Sequence, residues 1–217
     1  METRVVSINA HFGALKGEQR TMRTRAYALR AVLMSLGDIG RSVILIQEGC
    51  STLVHVLAHS DEHVPNTLKK THRVVCTPRP GPFLITLVPH CYTIDVRPVT
   101  FPETLSKMQR EAHVCTVARA NDKMLIIHTH LESCGDNEAL RGAQVSFLMG
   151  HMDHTKHNAL FIVGDLNGFG LGGWEKQHMA FNLTVDIKPR RLASNLTPHK
   201  LFEFTVKPPI LFEYTVK

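Results

Sequence analysis

Three short runs of β-branched and other apolar residues, Thr3 to Ile8 (TRVVSI), Val43 to Gln47 (VILIQ) and Leu160 to Val163, predict buried strands. Between the first two, Met22, Ala26, Leu29, Leu33 and Leu36 recur at helical spacing, which predicts a helix over Glu18 to Leu36. Gly37 stands where that helix would stop. Arg20, Arg23, Arg25 and Arg30 fall mostly off the apolar stripe and predict a basic outer side. Thr52 to His63 reads as a second helix, ending before Pro65. From His72 the period shortens. HRVVC, FLITLV and YTIDVR read as strands, separated by turn-forming pieces at Thr77 to Pro82 and at Pro89-His90. Phe101 to Arg110 is a polar connection with room for one helical turn. Ala112 to Ala118 and Met124 to Thr129 flank Asn121-Asp122, a hairpin signal. Asn137 to Met152 reads as a helix, and Gly168 to Gly173 as a flexible loop. Strand, helix, strand, helix, many strands, helix, strand is the order of a mixed α/β protein with two sheets. No long linker divides it, so a single domain over residues 1–217 is expected.

Composition narrows this little. Of 217 residues, 43% are hydrophobic and 20% charged, with a mean hydropathy of −0.06, which excludes wholesale disorder and collagen-like sequence. No apolar run approaches the roughly 18 residues of a bilayer span, and Met1 to Arg4 opens no secretory signal. A nuclear or cytoplasmic protein, not secreted and not bound to a membrane, is expected. Lys and Arg number 25 against 19 for Asp and Glu, which permits a polyanionic partner. The five cysteines form no C-x-x-C and read as reduced thiols, mostly in the core. His55, His59 and His63, and His151, His154 and His157, have helical spacing but no acidic partner at ligand spacing, so they read as solvated. The glycine loop has no G-K-[ST] and is not a P-loop. Near the end, LFEFTVK (Leu201 to Lys207) recurs as LFEYTVK (Leu211 to Lys217); a local duplication is a simpler reading than two equivalent strands.

The chemistry collects where apolar strands end. VVSI ends in Asn9, VILI runs into Gln47-Glu48, MLII into His128-Thr129-His130 and then Glu132, and LFIV into Gly164-Asp165-Leu166-Asn167. Four such ends predict one common site at one edge of the sheets. A hard cation such as Mg²⁺ takes oxygen ligands and keeps several waters, so the Glu48 carboxylate, the Asn9 amide and a substrate phosphate suffice to hold it. Asp165 would orient or deprotonate an attacking water. In an extended segment Asn167 lies on the same side as Asp165, placed to hold that carboxylate or to donate to a phosphoryl oxygen. His130 would donate to the charge that builds on phosphorus-bound oxygens.

Taken together, S-I-N (Ser7 to Asn9), Q-E (Gln47, Glu48), T-H-L-E-S (Thr129 to Ser133) with Arg141 and Gln144, and G-D-L-N (Gly164 to Asn167) resemble the endonuclease/exonuclease/phosphatase superfamily. Within it, F-P-E-T-x-S-K-M-x-R (Phe101 to Arg110) and H-L-E-S are most similar to the 5′-tyrosyl-DNA phosphodiesterases of type 2. The resemblance implies a four-layer α/β sandwich, two mixed sheets flanked by helices. It implies an Mg²⁺-dependent phosphodiesterase, with Mn²⁺ as an alternative ion, acting on nucleic acid or a 5′-tyrosyl-DNA adduct. Asn9 and Glu48 would surround the metal, with Glu48 the direct ligand. His130 would contact the scissile phosphate, and Asp165 and Asn167 would handle water and phosphate. Arg141 and Gln144 would tie the third long helix to the site. The chain departs from the pattern at Ile8, where an aromatic is usual, at Gly168, where an Arg is expected, and in lacking the terminal Ser-Asp-His. The nearest substitute is Thr197-Pro198-His199, which keeps the histidine, His199, and loses the acid. The segment 169–217 is thus expected to form a divergent, shortened end of the sandwich. The alternative it raises is a non-catalytic binding protein of the same fold.

Overall fold

The structure is a computed structural model, which describes residues 3–10, 19–35, 39–59, 67–119, 122–133, 137–152, 157, 159–167, 186–191 and 200–206. Ten strands and four α-helices occur among them in the order β1 (Thr3–Asn9), α1 (Gln19–Ser35), β2 (Ser42–Gly49), α2 (Ser51–Ala58), α3 (Thr67–Thr71), β3 (His72–Cys76), β4 (Phe83–Pro89), β5 (Thr93–Thr100), β6 (Glu111–Arg119), β7 (Asp122–His130), α4 (Glu138–Met149), β8 (Ala159–Asp165), β9 (Asp186–Arg191) and β10 (Lys200–Val206). They form a six-stranded sheet in the order β3-β4-β2-β1-β10-β9 and a four-stranded sheet in the order β5-β6-β7-β8. Both are mixed: β1–β2 and β7–β8 are parallel, and every other pair is antiparallel.

The period-two alternation of each strand sorts its side chains into layers. Val6 and Ile8 of β1, Ile44 and Ile46 of β2, and Phe83, Ile85 and Leu87 of β4 pack outward against Ala26, Leu29 and Leu33 of α1 and Leu53 and Leu57 of α2. The opposite parity, Val5, Val43, Leu45 and Val88, meets Cys115, Val117, Met124, Ile126, Phe161 and Val163 of the second sheet. The far face of that sheet, with Ala112, Val114, Leu125 and Ile127, is covered by Val145 and Leu148 of α4. Helix, sheet, sheet, helix is the four-layer sandwich expected.

Arg30 is not on a basic outer side: it is 2% exposed, donates to the Val56 carbonyl at 3.2 Å and lies over the Tyr27 ring, because α2 covers that part of α1. The second helix ends at Ala58, and residues 60–66 lie outside the described part. Of the described cysteines, all free thiols, only Cys115 is buried; Cys91 is exposed, and Cys50 and Cys76 are half-buried. His55 and His59 stack on each other, both exposed. The first copy of the terminal repeat is a strand: β10 pairs antiparallel with β1, from Thr3 opposite Val206 to Ile8 opposite Leu201. The second copy, the glycine loop from Gly168, and the residues Cys134, His154 and His199 lie outside the described part.

Candidate active site

Parity brings the polar strand ends together. Asn9 continues the inward series Val5, Ser7; Gln47 continues Val43, Leu45; His128 and His130 continue Met124, Ile126; and Asp165 continues Phe161, Val163. The parallel register sets Asn9 beside Gln47 and His130 beside Asp165, so both parallel pairs end at the same edge of the sandwich. The carboxyl ends of parallel strands are a recurrent place for ligands.

Glu48 is the exception. Its parity follows Ile44 and Ile46 and would send it toward the helices. It instead takes a left-handed φ of 51°, and the β2–β4 register slips between Ile46 and Gly49. A non-glycine residue in that region is strained. Here the turn swings the carboxylate to the inner edge, where Glu48 Oε1 accepts from Asn9 Nδ2 at 3.2 Å and stands 3.9 Å from His130 Nε2. Asn9 Nδ2 also donates to Asp165 Oδ2 at 2.7 Å, and that oxygen is 4.0 Å from His130 Nε2. One amide thus clasps two carboxylates from different sheets, with an imidazole facing both.

Asp165 is further held by the backbone N–H of Asn167, at 3.0 Å from Oδ1. This corrects the extended reading of that segment. Asn167 has a φ of 51°, and its side chain turns back to donate to the Leu131 carbonyl at 2.8 Å. The short polar side chain tolerates the left-handed turn. Gly164 adopts a φ of 145°, and a Cβ there would overlap the Thr129 carbonyl oxygen. Only glycine lets β8 approach β7 this closely beside the site.

Arg110, the last residue of the F-P-E-T-x-S-K-M-x-R segment, reaches into the site. Its guanidinium Nη1 is 3.2 Å from His130 Nδ1, and Nη2 reaches Ser133 Oγ at 3.4 Å. Burial lowers its pKa, while Glu48, Glu132 and Asp165 oppose that shift. With a guanidinium donating to Nδ1, the imidazole carries its proton on Nε2, the nitrogen that faces Glu48 and Asp165.

The segment from Phe101 to Arg110 and the H-L-E-S run form one structural unit. Glu132, fully buried, accepts from Ser106 Oγ at 2.9 Å and from the Met108 N–H at 2.8 Å, and Ser106 Oγ accepts from the Arg110 N–H at 2.7 Å. Gln144 Oε1 receives the Glu132 N–H at 3.0 Å, and its amide donates to the Leu105 carbonyl at 2.7 Å. Arg141 donates to the Glu132 carbonyl at 3.4 Å. Both α4 residues are buried and structural, as expected. Arg25 also belongs near the site rather than on an outer face: it is half-buried, burial lowers its pKa, and Glu48 opposes that shift.

A cleft opens from Glu48, Arg110 and His130 toward Arg79, Glu111 and the apolar Phe83. Beneath the site, a polar chain crosses between the sheets. Gln47 Nε2 is 2.8 Å from His128 Nε2, Thr86 Oγ1 is 3.0 Å from His128 Nδ1 and 3.3 Å from His113 Nδ1, and Thr77 Oγ1 is 3.5 Å from His113 Nε2. The assignment that satisfies every partner has Gln47 donating to His128, His128 Nδ1–H donating to Thr86, and Thr86 donating to His113. Both imidazoles are then neutral. Burial agrees, lowering His113 to about 4 and His128 well below the usual histidine value.

No family model matches the chain, and no curated protein matches its sequence. Solved structures do. Truncated TDP2 from Caenorhabditis elegans superimposes with a TM-score of 0.68 at 17% identity, covering 94% of this chain and 97% of that one. D. rerio TDP2 in complex with a single-strand DNA product gives 0.60 at 15% identity, over 95% of this chain and 85% of that one. An endonuclease/exonuclease/phosphatase family protein from Bacteroides thetaiotaomicron gives 0.60 at 9% identity, over 95% and 98%. The chain has the endonuclease/exonuclease/phosphatase fold. Among the described residues, no three His, Cys, Asp or Glu side chains group so as to hold a metal ion by themselves, and no helix is long and apolar enough to cross a membrane.

Proposed function

We propose that this protein is a metal-dependent phosphodiesterase that hydrolyses nucleic-acid phosphodiesters, with 5′-tyrosyl-DNA adducts among its substrates. The observation that carries this reading is the Asn9 amide joining Glu48 to Asp165, with His130 Nε2 at 3.9 and 4.0 Å from them. The fold and the DNA product bound to D. rerio TDP2 support the substrate class. The donor chemistry suits Mg²⁺, and Mn²⁺ as an alternative: the Glu48 and Asp165 carboxylates, joined by one amide, supply hard oxygen donors, and such an ion keeps waters and takes a substrate phosphate for the rest. Glu48 is the residue that holds the ion. Asn9 turns its amide nitrogen to both carboxylates, so its part in the metal site falls to its carbonyl oxygen and to fixing Glu48. Bound there, the ion supplies Lewis-acid polarisation of the phosphoryl oxygens.

The chain's own groups do the rest. Asp165, held by Asn9 and the Asn167 N–H, orients a water in line with the scissile bond and takes its proton as the water oxygen bonds to phosphorus. His130 donates Nε2–H to a non-bridging oxygen as charge accumulates, its opposite nitrogen pinned by Arg110. The P–O bond to the leaving group breaks on the far side. Asn167 shapes the Asp165 turn and contributes through it. His199 is proposed as the stand-in for the family's final histidine.

Glu48→Gln tests the reading. The amide keeps the shape and loses the charge, so Mg²⁺-dependent turnover of a 5′-phosphotyrosyl oligonucleotide should fall by at least about a hundredfold, with an unchanged circular dichroism spectrum. Full turnover with unchanged Mg²⁺ dependence would refute the metal assignment.

A further inference from the structure

The cleft beside the candidate site holds charge that the chemistry above does not use. Arg79, from the β3–β4 connection, donates through Nη1 to the Gln109 carbonyl and through Nη2 to the Pro82 carbonyl at 3.3 Å. Its Nε faces Glu111 Oε1 at 3.6 Å, too long for a hydrogen bond, and both atoms are buried without a hydrogen-bond partner. The Arg79 side chain is still 26% exposed, so its terminal nitrogens, each with a second N–H, can meet a ligand in the cleft. Glu111 is 7% exposed; burial raises its carboxyl pKa while Arg79 and the Leu84 N–H oppose that shift, so the two side chains form a long ion pair on the Nε side and leave the terminal nitrogens facing the cleft. Arg110 lies in the same cleft, and Arg79 contributes to lowering its pKa. The two guanidiniums line one cleft, and Arg79 is anchored there by two backbone carbonyls, the kind of fixed fork that suits a phosphate. One of them already serves His130. The other, Arg79, has protein partners on part of its donor set only, and it lies along the cleft rather than at the reacting centre.

We propose that Arg79 is a specificity-determining residue that binds a phosphate flanking the scissile one, so that the enzyme selects polynucleotide over small phosphoesters. This rests on the proposed phosphodiesterase reading. A single-phosphate substrate occupies the Glu48–His130 end and leaves Arg79 unengaged. A strand carries its next phosphate into the cleft, where the guanidinium fork donates to two of its oxygens and the repulsion with Arg110 is relieved.

The test compares wild type with Arg79→Gln and Arg79→Lys on p-nitrophenyl thymidine 5′-phosphate and on a single-stranded oligonucleotide, together with oligonucleotide affinity over a range of salt. Arg79→Gln should raise KM for the oligonucleotide about tenfold and leave kcat/KM on the small ester unchanged. It should also lower the slope of log affinity against log salt by about one phosphate. Arg79→Lys should restore the slope and only part of the affinity, since it keeps the charge and loses the fork. Equal losses on both substrates, or no change in KM and salt slope, would overturn the assignment. If wild type turns over neither substrate, the phosphodiesterase reading fails alone; affinity and salt slope still decide the Arg79 contact, supporting it if they fall in Arg79→Gln and overturning it if they do not.

Discussion

The neutral histidines under the site make acid the sharpest perturbation of this fold. His113 is fully buried and its pKa falls from 6.5 to about 4, chiefly because burial disfavours the imidazolium, with the nearby Arg79 adding to the effect. The unfolded chain takes up a proton near pH 6.5 and the folded chain does not until about pH 4. The contribution is therefore complete above the unfolded value and is lost as pH falls through this window. At roughly 1.36 kcal/mol per unit, the full shift is worth about 3 kcal/mol, a large share of the 5–15 kcal/mol typical of a domain. His128 is shifted in the same direction, so the loss from the pair is steeper. His113→Asn isolates the term: its amide oxygen can accept from Thr86 in place of Nδ1, and it does not titrate. The substitution leaves a gap whose cost is independent of pH. Urea unfolding followed by far-ultraviolet circular dichroism, from about pH 7 to about pH 4.5, should show wild type losing about 2.5 kcal/mol more than the variant. Parallel curves across that range would mean that His113 titrates normally in the folded state, and would refute both the tautomer chain and the neutral core.

Two further substitutions probe the frame of the site. Gly164→Ala drives a methyl into the Thr129 carbonyl and should cost about 2–4 kcal/mol; a melting temperature within about a degree of wild type would show that β8 is free to shift. Glu132→Gln places an N–H where Ser106 or Met108 already donates, and should cost about 1–3 kcal/mol while lowering kcat through loosened Arg110. Unchanged stability and kcat would detach the 101–110 segment from the chemistry.

The layers were legible because strand parity is local: the alternation in VVSI, VILI and LFIV already divides helix-facing from sheet-facing residues, and Asn9, His130 and Asp165 follow from extending it. Glu48 could be named from its place after an apolar run, but its arrival at the site depends on a left-handed backbone and a register slip that parity argues against. Asn167 failed as an extended residue for the same reason, a turn made by its own side chain and that of Asp165. Arg30 was misplaced because its cover comes from α2, which the helix's own periodicity does not reveal. Arg79 and Arg110 sit in connections with no period, and what recruits them is contact with Gln109, Pro82 and His130 across the fold.

Asn9 ends a strand whose two neighbours are made at very different times. β2 follows soon after β1 on the chain, but β10 lies roughly 190 residues on. At a synthesis rate of about 5–20 residues per second, β1 waits on the order of ten to forty seconds with one side unpaired. Through that interval the nascent sheet presents a β-branched edge able to recruit another strand. The clasp between Glu48 and Asp165 hangs from the end of this strand, so its assembly depends on β1 pairing with β2 and β10 and not with a foreign strand. A release of the chain before Lys200 leaves the edge bare, and such products are expected in the insoluble fraction, captured by chaperones or aggregated.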